Sequence, residues 1–354
     1  MTTARRTSGR AIERVERLCR ERSGDRALRT ALLGEIRREV AFDWYAWLLT
    51  DPETEVGSGP LAEIPTIRDL PRLISAKYVT SLNRWTNLDS PVATLQAATD
   101  GELRRSEVWR EVLSEYGVAD VASVVFRDAH GCWGWLDLWR RAESGPIDDR
   151  ERDYLASIVT LITAGLRGSV AGSFAEGVTY PVEGDGPLVL VLSPQLDVMT
   201  QTPDTEAYLR ALIPPVGDRR AIPAAAYNVA AQVLATEAGV DNHPPFARVH
   251  LQGGVWLTFR AGRVDASAPL SQRDIAVAIG VASPAQRRDL FARSHALSPR
   301  EVEVIDQIAH GGDTRAIAAA LFVSEHTVQD HLKSIFAKTW ARNRRTLLAR
   351  FAGQ

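Results

Sequence analysis

Residues 297–351 read LSPREVEVIDQIAHGGDTRAIAAALFVSEHTVQDHLKSIFAKTWARNRRTLLARF. The spacing predicts four short helices, with a tight polar turn between the middle pair. Ser298 is placed to cap the first, Pro299 suits its first position, and Glu301 completes a capping box. Val302, Ile305 and Ile308 recur at helical spacing, and Gly311-Gly312 stop the run. Asp313 or Thr314 caps the second helix, whose inward side is Ile317, Ala318 and Leu321. Val323, Ser324 and Glu325 form the turn, and Ser324 caps a third helix over 325–338. There Val328, Leu332, Ile335 and Phe336 form the apolar stripe. Thr327, Gln329, Asp330, Lys333 and Ser334 lie opposite. An isolated helix with this pattern would simply present a solvated face. Behind a capped helix and a short turn, the layout is that of a helix-turn-helix. Gln329 suits adenine edges, and Lys333 suits guanine or a phosphate. Asp330 would repel phosphate but accepts from cytosine or orients a neighbour.

Charge points the same way. From His331 to the C-terminus there are Lys333, Lys338, Arg342, Arg344, Arg345 and Arg350 and no acidic residue, whereas the whole chain carries a net charge of -2. Segregated positive charge attracts phosphates without reading sequence.

The segments LSPRE, AAALFVSEHTV, HLKSIFAK and NRRTLLAR together closely resemble the LuxR/NarL/FixJ-type DNA-binding domain of bacterial regulators. The resemblance implies a four-helix domain whose third helix enters the major groove of double-stranded DNA. It implies Thr327, Gln329, Asp330, His331 and Lys333 as groove residues, with Lys338 and Arg344 near phosphates. It also implies a dimerising last helix, whose apolar positions are Leu347, Leu348 and Phe351; ordinary packing inside the domain is the alternative for these three. One position departs from the pattern. Trp340 follows the recognition helix where a glycine would form a left-handed cap.

The 354 residues suit two or three domains, and 45% hydrophobic with 24% charged residues is ordinary for a folded chain. Two cysteines, Cys19 and Cys132, make no disulfide framework, so a reducing cytoplasm is expected. The longest apolar run, near Leu188–Leu192, is too short for a bilayer, the N-terminus lacks a secretory core, and no membrane partner is expected.

Residues 1–170 read as an α+β domain: amphipathic helices over 9–22 and 25–40, a strand in AFDWYAWLLT, a loop at DPETEVGSGP, helical stretches near LPRLISAKYV and over 102–116, a hairpin of VADVASVVFRD and CWGWLDLWR, and a closing helix over 149–167. The order resembles a GAF sensor domain. Seven of the nine tryptophans precede residue 140. Alternation places Trp133, Trp135 and Trp139 on one strand face with Asp137 among them. With Trp44 and Trp85 they would line a cavity for a small apolar or aromatic ligand, with Tyr78 and Asp137 as polar handles. Alternatively they are plain core. His130 and Cys132 lack a second pair of ligands, so no metal is expected, and no cofactor either.

Residues 171–290 read strand, strand, helix, helix, strand, strand, strand, and resemble a PAS fold, either sensing or spacing. The first of these helices, DTEAYLRALI, is expected to be capped by Asp204, and Gly253-Gly254 to turn a hairpin. Residues 284–296 then form a short linking helix to an all-α domain over 291–354.

The chain has no GxxxxGK loop, no Gly-x-Ser-x-Gly elbow, no HExxH helix and no receiver-type acidic pair, so an enzyme is not expected. The resemblances together imply a multidomain, homodimeric, cytoplasmic one-component regulator of transcription. The alternative is a constitutive DNA-binding protein whose N-terminal domains serve dimerisation and docking of a protein partner.

Overall fold

Alternating apolar residues build two five-stranded antiparallel sheets with the same strand order in the computed structural model, which describes residues 2–21, 24–65, 69–175, 186–213, 221–251, 254–265 and 267–352. The first module runs α1 (Thr2–Arg20), α2 (Asp25–Ile36), β1 (Trp44–Thr50), β2 (Gly57–Glu63), α3 (Leu70–Val79), β3 (Val92–Thr94), α4 (Leu95–Ala98), α5 (Glu107–Glu111), β4 (Val118–Asp128), β5 (Gly131–Arg141) and α6 (Asp149–Ser173). Its sheet order is β2-β1-β5-β4-β3. The second runs β6 (Leu188–Leu192), β7 (Val198–Gln201), α7 (Pro203–Leu212), α8 (Ala224–Glu237), β8 (Phe246–Leu251), β9 (Val255–Arg263) and β10 (Ile275–Val281), in the order β7-β6-β10-β9-β8. Helices α9 (Pro284–Ser294), α10 (Pro299–Ala309), α11 (Thr314–Leu321), α12 (Glu325–Thr339) and α13 (Arg344–Ala352) complete the chain.

One face of the first sheet packs on α1, α2 and α6, through Trp47, Phe126 and Leu136 against Val15, Leu32, Ile158 and Ile162. Helix α6 is long and apolar enough by composition to cross a membrane, which no uninterrupted apolar run in the sequence announces. Its apolar stripe, Leu155, Ile158, Ile162 and Leu166, is buried against the sheet. The opposite face joins α3 and, from the second module, α8 in one continuous core.

Several expectations need correction. The loop read at DPETEVGSGP contains β2, an edge strand where Pro60 has no ladder bond to lose on its free side. The helix read over 102–116 breaks into two 3-10 turns flanking α5. Thr202, not Asp204, precedes α7, and the Asp204 carboxylate accepts from the Gly186 N–H at 3.2 Å. In β5 the tryptophans do not share one face. Arg127 pairs with Cys132 and Phe126 with Gly134, so Trp133 is an extra residue at a bulge. A one-residue insertion flips the alternation, and Trp133 therefore enters the α6 core while Trp135 and Trp139 face the other way. The expected domain boundaries at 170/171 and 290/291 fall inside α6 and α9. Gly254 has a left-handed φ of +70, and Gly253 lies outside the described residues.

Candidate nucleic-acid interface and buried cavity

Local sequence determines each turn of the C-terminal domain. Ser298 and Glu301 form a capping box at α10, Asp313 accepts from the Ala316 N–H at 2.7 Å at α11, and Ser324 accepts from the Thr327 N–H at 3.0 Å at α12. Phe322 and Trp340 end α11 and α12 in the left-handed region, at φ 55 and 51. Trp340 thus occupies the conformation a glycine would take there, and its ring meets His295 edge-on at 5.7 Å. Val304, Ile305, Ile308, Ile317, Val328, Leu332 and Ile335 are the core.

That core orients α12. Glu325, His326, Gln329, Asp330 and Lys333 are exposed on its outer side, and His331 is half-buried. The Thr327 hydroxyl lies 2.8 Å from that of Ser324 and belongs to the cap. Asp330 faces His326 at 3.6 Å, a residue the sequence reading passed over. Ser334, read as outward, donates to Glu301 at 2.6 Å.

Two cations expected near phosphates bond within the domain, Lys338 while still exposed and Arg344 half-buried. Lys338 pairs with Glu301 at 2.7 Å. Burial pushes the Glu301 carboxyl up, but bonds from Lys338, Ser334 and Ser298 outweigh it and hold the group down at about 2. Arg344 donates to the Gly312 carbonyl at 2.9 Å and to the Thr314 hydroxyl at 2.8 Å. Lys333, Arg342 and Arg345 remain exposed. Leu347 and Phe351 are 0% and 2% exposed within the chain's own core, and the Phe351 ring lies 5.8 Å from that of Phe291 in α9. Leu348 is half-buried.

The first module contains a cavity of about 220 Å³, walled by Leu48, Leu73, Ile74, Val121 and Trp139 and by α8. Of the residues expected to line it, Tyr78, Trp135, Asp137 and Trp139 do. Trp85 stands behind, stacked on Trp135 at 5.0 Å, with its indole N–H donating to the Glu55 carbonyl. Trp44 sits under the Arg141 guanidinium, and Trp133 lies across the sheet. The Tyr78 hydroxyl accepts from the Gly57 N–H at 2.9 Å, which ties it to β2. Asp137 accepts from Ser123 at 2.7 Å and pairs with Lys77 at 2.9 Å. Sequence reasoning missed Lys77, Ser123 and Asn228. The signal for Asn228 was present as an amide inside the apolar helix AAAYNVAAQV. Cys132, at the mouth of the hairpin, is fully buried, and burial pushes its thiol up to about 12.

A capped helix, a three-residue turn and a second helix with an open polar side define a helix-turn-helix DNA-binding domain. Residues 295–351 match the family model for bacterial regulatory proteins of the luxR family. Over 56 residues the chain is 45% identical to the uncharacterized transcriptional regulatory protein YhcZ of Bacillus subtilis, a match that covers 16% of this chain and 26% of that protein.

Proposed function

We propose that the chain is a bacterial one-component regulator of transcription, in which α12 reads a DNA groove and the two sheet modules, one GAF-like and one PAS-like, carry the signal. The observation that carries the reading is the open side of α12, with Gln329, Asp330 and Lys333 exposed while the opposite side is locked in core. The shared strand order of the two sheets supports the sensor assignment. Lys333, Arg342 and Arg345 supply cations for phosphates and base edges; Lys338 and Arg344 hold α12 and the last helix in place. A homodimer would engage an inverted repeat. Its contact through α13 falls on Leu348 rather than on the buried Leu347 and Phe351. The signal is a small apolar molecule in the first module's cavity, stabilising one arrangement of the domains over another.

Lys333→Ala tests the DNA claim. Titrated against a selected operator by fluorescence anisotropy, it should lose about 1–3 kcal/mol of binding if Lys333 reads a base, or reduce the salt slope by about one if it meets a phosphate. Unchanged affinity at every salt concentration would remove α12 as the recognition element.

A further inference from the structure

The cavity wall holds a buried carboxamide with nothing to bond. Asn228 of α8 is 1% exposed and lines the cavity, and neither its amide nitrogen nor its amide oxygen has a partner in the protein. Buried carboxamides are normally satisfied, so an orphan of this kind asks for a cause. The surrounding chain makes room for it: a methyl group on Gly57 would lie 2.9 Å from the Asn228 amide nitrogen. The indole N–H of Trp135, in the same wall, is also unpartnered.

The buried acid and base of the cavity are already matched. Asp137 and Lys77 neutralise one another, and Ser123 donates to Asp137. A charged ligand would have to break that pair. Asn83 donates to the Thr94 carbonyl, Ser106 caps α5 and Arg26 is exposed to solvent; the rest of the wall is aliphatic and aromatic. In size, about 220 Å³ exceeds the ~150 Å³ apolar cavity that accepts benzene.

We infer that the cavity takes a neutral, bicyclic aromatic molecule bearing a lactam edge, whose carbonyl and N–H pair with the donor and acceptor of Asn228. This rests on the reading of the cavity as the signal site. Asn228 belongs to the second module and the Trp135 wall to the first, so such a ligand spans both. Its recognition follows from unpaired polar groups, which discriminate strongly against an analogue that lacks the complementary edge.

The test uses the full chain and two probes of similar shape, 2-quinolone with a lactam edge and naphthalene without one, titrated calorimetrically. Wild type should bind 2-quinolone at least tenfold tighter than naphthalene. Asn228→Leu should abolish that preference and leave naphthalene binding undiminished. Because the amide has no partner, Asn228→Leu should also hold or raise the Tm of the ligand-free protein; a fall in Tm, shared by Asn228→Ala, would make Asn228 structural and overturn the inference. Equal binding of both probes, or a preference that survives in Asn228→Leu, would also overturn it while leaving the cavity as a binding site. Failure of both probes to bind would remove the cavity reading with it.

Discussion

The two junctions in this molecule are built from different chemistry. Between the sheet modules, one apolar core runs without interruption from Val56 and Trp85 to Val229, Phe259 and Val277. Two buried arginines clasp it from opposite sides. Arg84 of the first module bonds Asp241 at 2.6 Å and Gln232 at 3.0 Å in the second. Arg248 of the second bonds Asp51 of the first at 2.7 and 2.8 Å. The helical domain shares one clasp, since Arg248 also bonds Asp289 of α9 at 2.7 Å, and is otherwise joined through aromatic packing. Its core belongs to α9–α13 and admits Phe174, Trp256 and Ala282 from outside. Arg287 donates there to the backbone carbonyls of Gly254 and Phe351, and His295 sits among aromatic rings. The first junction resembles the inside of one domain. The second is a smaller patch of aromatic side chains, and it leaves the polar side of α12 exposed.

The largest expected effect attacks the first junction. Asp51→Ala removes the buried partner of the Arg248 guanidinium, 1% exposed, and leaves it only the half-exposed Asp289 at 2.7 Å and Glu53 at 3.1 Å. Removing one member of a buried pair costs about 3–5 kcal/mol, more than the pair itself contributes. Urea denaturation should show that loss in a single transition covering both sheets. A loss under about 1 kcal/mol, or two separated transitions, would break the contrast between the junctions.

The second junction should respond to acid. Burial among Phe174, Phe291 and Trp340 pushes His295 down to about 4; its bond to the Phe291 carbonyl opposes this and the nearby Arg350 charge adds to it. The folded group therefore binds its proton later than the unfolded one, whose pKa is about 6.5. The contribution of neutral His295 is complete above pH 6.5 and declines as pH falls from 6.5 toward 4, by an amount on the order of 3 kcal/mol. Stability measured across that window should lose this slope in His295→Phe. If the slope is unchanged, or belongs to the sheet modules, His295 does not carry an acid response of the second junction.

Much of this was legible in the sequence, and the gaps have physical causes. The helical domain could be read almost residue by residue because its information is local: Ser298, Asp313 and Ser324 each cap the helix that begins beside them. The sheets were read as to their long strands, since β4 and β5 are runs rich in valine and aromatic residues. Strand β2 was lost because its Gly57-Ser58-Gly59-Pro60 start carries no strand propensity and is held by pairing with β1. The cavity was half legible. Trp135 and Asp137 were correctly placed, whereas Trp133 was not, because a bulge is set by the register of the partner strand and leaves no mark in the alternation. The clasps were invisible for a simpler reason: Asp51 and Arg248 meet only after both modules have folded.

The smallest effect bears on the tryptophan at the second junction. Phe322 and Trp340 both hold left-handed backbone, at φ 55 and 51, where a side chain costs about 1–2 kcal/mol relative to glycine. Phe322 is 95% exposed, so Phe322→Gly should recover about 1 kcal/mol of stability with little packing lost. Trp340 is 48% exposed, and its ring meets His295. An aromatic contact of that kind is worth about 0.5–1.5 kcal/mol, so Trp340→Gly should change stability by less than about 1 kcal/mol in either direction. The difference between the two substitutions, measured by urea denaturation of the full chain, isolates what the indole adds at the junction. A gain for Trp340→Gly as large as that for Phe322→Gly would show that the indole adds nothing there, and that His295 is held by Phe291 and Phe174 alone.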